Sequence, residues 1–372
     1  MPHIPFFDPE RTYEENFTQG PFGAFADGKV FQEAGEPRYT VFGQAVYLPF
    51  GIPAGPLLNG KYVKAALDKG FDVPIYKTVR TRKYASAPWP NVLAVQVAEK
   101  DLTFAMAEQG LAANHLFAEP LAITNSFGVP SFEPDFWQPD MAEASRYAKQ
   151  GQFVIGSFQG TTNPQGDIDE YIQDFVLAAK LVKETGVRVL EANLSCPNEG
   201  TNHLLCYDVK RSKAVIAAIK NEIGETPLVI KIGYFGDGDQ LRLFVTEVGS
   251  MIQGISAINT IPARILDEQG KPALPGPGRE RSGVCGVPVK WAGLDMTRKL
   301  FALRQQSGLS FTIIGVGGVT YPHDYREYRE AGADLVMSAT GAMWNPYLAL
   351  DIKGAKRSSI GSERSTASMR ST

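Results

Sequence analysis

Residues 167–193, DIDEYIQDFVLAAKLVKETGVRVLEAN, hold a helix and a strand with almost nothing between them. Asp167 stands at the capping position with Glu170 three residues on, and Ile168, Tyr171, Ile172, Phe175, Ala179 and Val182 recur on one face. Gly186 supplies the left-handed residue that ends such a helix. The β-branched run that follows reads as a strand, so the stretch is the closing half of a β–α–β unit. Outward from it the same alternation continues. Strands are expected near 47–53, 72–79, 152–158, 188–193, 227–232, 255–260, 311–316 and 334–338, with helical patterns between them. Eight such repeats predict an α/β fold, a (β/α)₈ TIM barrel, which needs roughly 250 residues plus its loops. The expected layout is an N-terminal arm over 1–45 packed on the barrel, the barrel over 46–352, and a disordered basic Ser/Thr-rich tail over 353–372. Two connections are too long for simple helices, 80–150 and 262–288, and on a barrel such insertions after strands lie at the catalytic face.

Composition narrows the function classes. The chain carries 37 Lys and Arg against 40 Asp and Glu, a net charge of −3, which gives no basic footprint for nucleic acid. Its three cysteines, Cys196, Cys206 and Cys285, have no CxxC or Cys/His spacing, so neither a disulfide framework nor a metal site is expected. No uncharged apolar run of 18 residues occurs and the first residues lack a signal-peptide pattern, so a cytoplasmic protein without membrane attachment is expected.

The unusual residues cluster at the C-terminal ends of the expected strands: Ala54-Gly55, Lys77-Thr78, Ser157, Asn193, Lys231, Asn259-Thr260, Gly317-Gly318 and Ala339-Thr340-Gly341. A parallel strand buried on both faces is nearly all apolar, so Lys231 within 229–232 and Glu191 and Asn193 after 189–190 are costly without polar partners. Each lysine pairing with a carboxylate inside the barrel mouth is one solution; a polar ligand held by the whole set is the other. The glycines after the last two strands suit a phosphate, which barrels commonly bind there, although tight turns use glycine as well.

The segment Asn193-Leu194-Ser195-Cys196-Pro197-Asn198 resembles the NxS(C/S)PN signature of dihydroorotate dehydrogenases, and the resemblance runs from about residue 47 to 350. It implies that Cys196 is the catalytic base and that Asn193 and Asn198 bind substrate. Thr124-Asn125-Ser126-Phe127-Gly128-Val129-Pro130 resembles the family's substrate loop, which adds Asn125, Ser126, Phe127 and Gly128. Lys77 matches the lysine that touches both flavin and substrate, and Asn259 and Thr260 match a substrate pair. For the cofactor, FMN, the resemblance implies Ala54, Gly55, Lys77, Thr78, Asn193, Lys231, Ile258, Gly286, and the phosphate cradle Gly317, Gly318, Ala339 and Thr340. The departures are Ala339 in place of the usual glycine, a loosely matching stretch at 80–91 and a long 262–288 connection. They bear on the electron acceptor more than on the flavin.

What the resemblance implies is FMN-dependent oxidation of dihydroorotate to orotate in pyrimidine biosynthesis, with Cys196 removing the C5 proton and FMN N5 taking the C6 hydride. Amide side chains suit the alternating N–H and C=O edge of a pyrimidine. Cysteine at 196 resembles the soluble class, whose acceptor is fumarate or partner-supplied NAD, and the family suggests a homodimer. Two alternatives stay open: a dihydropyrimidine or dihydrouracil oxidoreductase, whose signature ends in His where this chain has Asn198, and a non-catalytic flavin-binding barrel subunit. Cys206 and Cys285 are read as ordinary packing.

Overall fold

The computed structural model describes residues 3–162, 167–195 and 204–354. Cys196, Pro197 and Asn198 lie outside the described residues, as does 355–372 of the expected tail. All eight expected barrel strands are present: β1 (Phe50–Gly51), β2 (Ile75–Val79), β3 (Ile155–Phe158), β4 (Val189–Asn193), β5 (Leu228–Ile232), β6 (Gly254–Ala257), β7 (Thr312–Val316) and β8 (Leu335–Met337). They form one parallel sheet in the order β1-β8-β7-β6-β5-β4-β3-β2. Backbone bonds from Ile75 N to Ile52 O (2.9 Å) and from Val73 N to Phe50 O (3.2 Å) tie β2 to the β1 end, so the sheet comes round on itself as a (β/α)₈ barrel.

Strand periodicity divides each strand between two apolar environments. Odd-numbered residues of β3 to β5, among them Ile155, Val189 and Val229, meet Val73, Ile75, Phe153, Ile314, Leu335 and Met337 in a closed interior cluster. Even-numbered residues such as Leu190, Ala192 and Ile230 face the surrounding helices in the larger core. The helix Ile168–Glu184 forms as its sequence dictates: the Asp167 carboxylate accepts from the N–H groups of Asp169 and Glu170, and Tyr171, Phe175, Ala178, Ala179 and Val182 are buried.

The two long connections are not open loops. The 80–150 segment contributes the strands Val92–Val95, Leu111–Asn114 and Ala122–Asn125, and the 262–288 segment is the antiparallel pair Ile261–Leu266 and Arg281–Gly286. These five close into a small second barrel. Arg279 fastens it to the preceding loop, donating to Pro88 O (2.8 Å), Pro90 O (3.0 Å), Pro275 O (2.7 Å) and both Ser126 oxygens.

The N-terminal arm carries a capped helix, Tyr13–Gln19, and buries Phe6, Phe7, Tyr13, Phe17 and Phe25. Its backbone is pinned by Phe6 N to Met343 O (3.1 Å), Asn59 Nδ2 to Phe17 O (2.9 Å) and Tyr62 Oη to Asn16 O (2.7 Å). At the other end, Lys353 and Gly354 belong to a final helical segment, 348–354, rather than to a tail. The Lys353 ammonium is buried, 3.0 Å from Asp72 and 3.6 Å from Glu33. Among the described residues no helix is long and apolar enough to cross a membrane.

Candidate active site

A cleft opens where the C-terminal ends of the barrel strands meet the small five-stranded barrel. Ala54 and Gly55 enter it after β1, Lys231 from β5, and Ile258, Asn259 and Thr260 after β6. Gly317 and Gly318 follow β7, Ala339 and Thr340 follow β8, and Asn125, Phe127 and Gly286 descend from the small barrel. Thirteen residues nominated from sequence therefore share one surface.

Local bonding explains their placement. The backbone N–H of Ile258 donates to Val316 O (2.9 Å) and that of Asn259 to Ile232 O (3.0 Å), which carries the β6 ladder one step further and turns Asn259 to the cleft. Gly286 has a φ of 97°, and a Cβ there would sit 2.2 Å from Leu121 O. Gly318 has a φ of 65°, and its Cβ would lie 2.6 Å from Lys290 Cβ. Both positions exclude side chains, so bare backbone faces the cleft at these two points. At Gly55, which also lines the cleft, a Cβ would meet nothing within 4 Å.

Several nominated residues sit just behind this surface. Lys77 and Thr78 border a smaller pocket beside the arm, with the Lys77 ammonium 5.8 Å from the Tyr13 ring centre and 5.9 Å from that of Phe127. Asn193 is buried, its amide 2.9 Å from that of Gln159. Ser126 does not line the cleft; its hydroxyl accepts from Arg279 Nε (3.0 Å). Gly128 is likewise outside the lining.

The electrostatics centre on Lys231. Its ammonium is buried and donates to Ala54 O at 3.1 Å. Burial pulls its pKa below the ordinary lysine value, opposed by the negative potential of Glu191 and Cys285. Among the described residues no carboxylate lies within ion-pair distance of it, so the simple lysine–carboxylate pair entertained from sequence does not form.

Three residues that sequence reasoning passed over belong here. Cys285 lines the cleft, accepts from Asn125 Nδ2 (3.4 Å), and has its thiol pKa raised by burial against the pull of Thr340, Asn125 and Lys231. Ser195 links two nominated asparagines: its hydroxyl donates to Asn193 Oδ1 (3.0 Å) and accepts from Asn259 Nδ2 (2.9 Å). Phe7 brings the arm to the cleft and packs edge-on to Phe127. Only Ser195 had a signal, its place inside the motif. Cys206, by contrast, is fully buried and its pKa is pushed up to about 12 by burial, as an inert core thiol should be.

A family model described as dihydroorotate dehydrogenase matches residues 38–354. Over 362 residues the chain is 34% identical to the dihydroorotate dehydrogenase of Dictyostelium discoideum, covering 93% of this chain and 96% of the relative. It is 31% identical over 213 residues to the catalytic subunit of an NAD(+)-type dihydroorotate dehydrogenase B from Oceanobacillus iheyensis, covering 56% and 64%. A quinone-type dihydroorotate dehydrogenase from Bordetella avium is 26% identical over 314 residues, covering 82% and 80%.

Proposed function

The chain belongs to the dihydroorotate dehydrogenase family, and on that premise we propose that it oxidises dihydroorotate to orotate with bound FMN. The observation that carries this reading is the single cleft that gathers Lys231, Asn125, Asn259 and Thr260 with the Gly317-Gly318 and Ala339-Thr340 backbone. Its apolar walls from Val289, Val316 and Ile258 and the closed-off glycine backbone at 286 and 318 fit a flat ring system ending in a phosphate. FMN, when bound, supplies the two-electron acceptor.

The protein's own residues would do the rest. Gly317, Gly318, Ala339 and Thr340 would hold the phosphate, with Ala54, Gly55, Thr78, Asn193, Ile258 and Gly286 bracing the ring. Lys231 would place a fixed positive charge where negative charge develops on the pyrimidine edge of the ring. Asn125, Asn193, Asn198, Asn259 and Thr260 would bind the polar edge of the substrate, each amide offering donors and an acceptor. Ser126, Phe127 and Gly128 would shape the loop around it, and Lys77 would contact both substrate and cofactor. Cys196 would take the C5 proton. Ser195 anchors the chain immediately before it through Asn193 and Asn259.

Substrate choice is tested by titrating the flavin spectrum with orotate and with uracil. Tighter binding of orotate is expected, and equal affinity for the two would remove the dihydroorotate assignment. The base is tested by anaerobic stopped-flow reduction. Cys196→Ala should keep its flavin and slow by roughly 10²–10⁴-fold, the usual range for a general base, whereas the wild-type rate in that variant would take Cys196 out of the reaction. The relatives' names include both NAD and quinone acceptors, and turnover with fumarate, with NAD through a partner, and with a quinone separates the acceptor classes.

A further inference from the structure

Beneath the cleft the barrel interior is not uniformly apolar. Above the cluster formed by Val189, Val229 and their neighbours lies a polar layer: Thr78, Ser157, Glu191 and Ser256, all buried, with Lys231 at its upper edge. Thr78 and Ser157 hydroxyls are 2.9 Å apart, and Ser157 donates to Glu191 Oε1 at 3.0 Å. The register sets the direction of this chain. Glu191 stands opposite Ser157 on β3 and Val229 on β5, while Lys231 stands opposite Asn193 and Ser256. Because side chains alternate, Glu191 and Lys231 point into the same interior from adjacent strands. The second carboxylate oxygen, Oε2, has no hydrogen-bond partner among the described residues, and neither has Ser256 Oγ. A wholly buried carboxylate bonded on one side only is costly unless it has an electrostatic purpose.

We propose that Glu191 is a positioning residue for Lys231, a counter-charge held in place by Ser157 and Thr78 that keeps the lysine an ammonium under the cleft. The two groups are too far apart for a contact pair. Through a dry interior their attraction is nonetheless weakly screened, and it favours the charged form of each against burial. In its consequence for the cofactor the proposal rests on the FMN reading above; in its statement about the two side chains it does not.

Glu191→Gln keeps the shape and the acceptor for Ser157 and removes only the charge. Urea unfolding of the apoprotein is measured for wild type, Glu191→Gln, Lys231→Met and the double variant. Glu191→Gln should lower the unfolding midpoint when Lys231 is present and leave it unchanged or higher in the Lys231→Met background, because the uncompensated ammonium is then gone. Equal effects of Glu191→Gln in both backgrounds would overturn the proposal whether or not flavin is bound. In the flavin-loaded proteins the midpoint potential of the flavin is followed against pH. Loss of the Lys231 proton bends that curve downward, and in Glu191→Gln the bend should move at least about one pH unit toward acid. A curve superimposable on wild type would also overturn it, since a merely structural Glu191 leaves the bend in place. A wild-type protein that takes up no FMN yet shows the coupling in urea would defeat the FMN reading and sustain the Glu191–Lys231 pair.

Discussion

Ser195 is bonded through one small hydroxyl to both Asn193 and Asn259, so the ends of β4 and β6 depend on it for their spacing. Ser195→Ala removes two hydrogen bonds, each worth about 0.5–1.5 kcal/mol net, and should lower kcat/KM for dihydroorotate by about tenfold with FMN content unchanged. Steady-state kinetics with a flavin count checks it; an unaffected kcat/KM would show that the asparagines hold their places without the hydroxyl. At Gly286 the expected effect falls on the cofactor instead. A methyl group at φ 97°, 2.2 Å from Leu121 O, forces the backbone to move, so Gly286→Ala should purify with little or no FMN. Full flavin occupancy in that variant would dissociate this glycine from the cofactor site. At this scale the sequence spoke clearly where polar residues broke an apolar strand, as at Lys231 and Asn193. It was silent at Cys285, because a free cysteine is most often core, and only the antiparallel return of Arg281–Gly286 against Ala122–Asn125 turns its thiol toward Asn125.

Among the elements, the eight barrel strands were legible because they are short runs buried on both faces, several of them β-branched, and followed by a polar or glycine stop. The small barrel was not. Its strands are four to six residues long, two of them end in asparagine, and the two pairings that close it, Ile261–Leu266 on Leu111–Asn114 and Arg281–Gly286 on Ala122–Asn125, join segments more than a hundred residues apart, which no local pattern encodes. The tail boundary, expected at 353, falls two residues early for a related reason. Lys353 begins a basic run in the sequence, yet the fold buries it against Asp72 and Glu33 beneath the barrel. Asp72 there has its pKa raised to about 6 by burial, an increase that Lys353 limits. Because the folded-state value lies above the ordinary 3.8, the folded protein holds this proton after the unfolded chain has lost it. The Asp72 contribution therefore falls as pH rises through that window. Lys353→Met leaves the carboxylate without its main counter-charge and should cost about 3 kcal/mol near pH 8, with a smaller loss near pH 5, where Asp72 is protonated. Urea unfolding at the two pH values decides it. A deficit that does not shrink on acidification would mean that lost packing, not charge, is the cause.

For the molecule as a whole, an apolar barrel floor, a polar interior layer and a roof made by the second small barrel enclose one cleft, and the arm closes its side with Phe7. Such a division lets the floor carry stability while the strand ends carry polar groups that would be costly in a filled barrel. Family membership and the cleft together make a central claim, that this cleft binds FMN and that dihydroorotate reduces it. The visible spectrum of the purified protein, recorded before and after adding dihydroorotate without oxygen, tests that claim most directly. A flavin spectrum that releases FMN on denaturation and bleaches with dihydroorotate but not with dihydrouracil is the predicted result; a colourless protein that cannot be reconstituted with FMN, or bound flavin that dihydroorotate leaves oxidised, would contradict it.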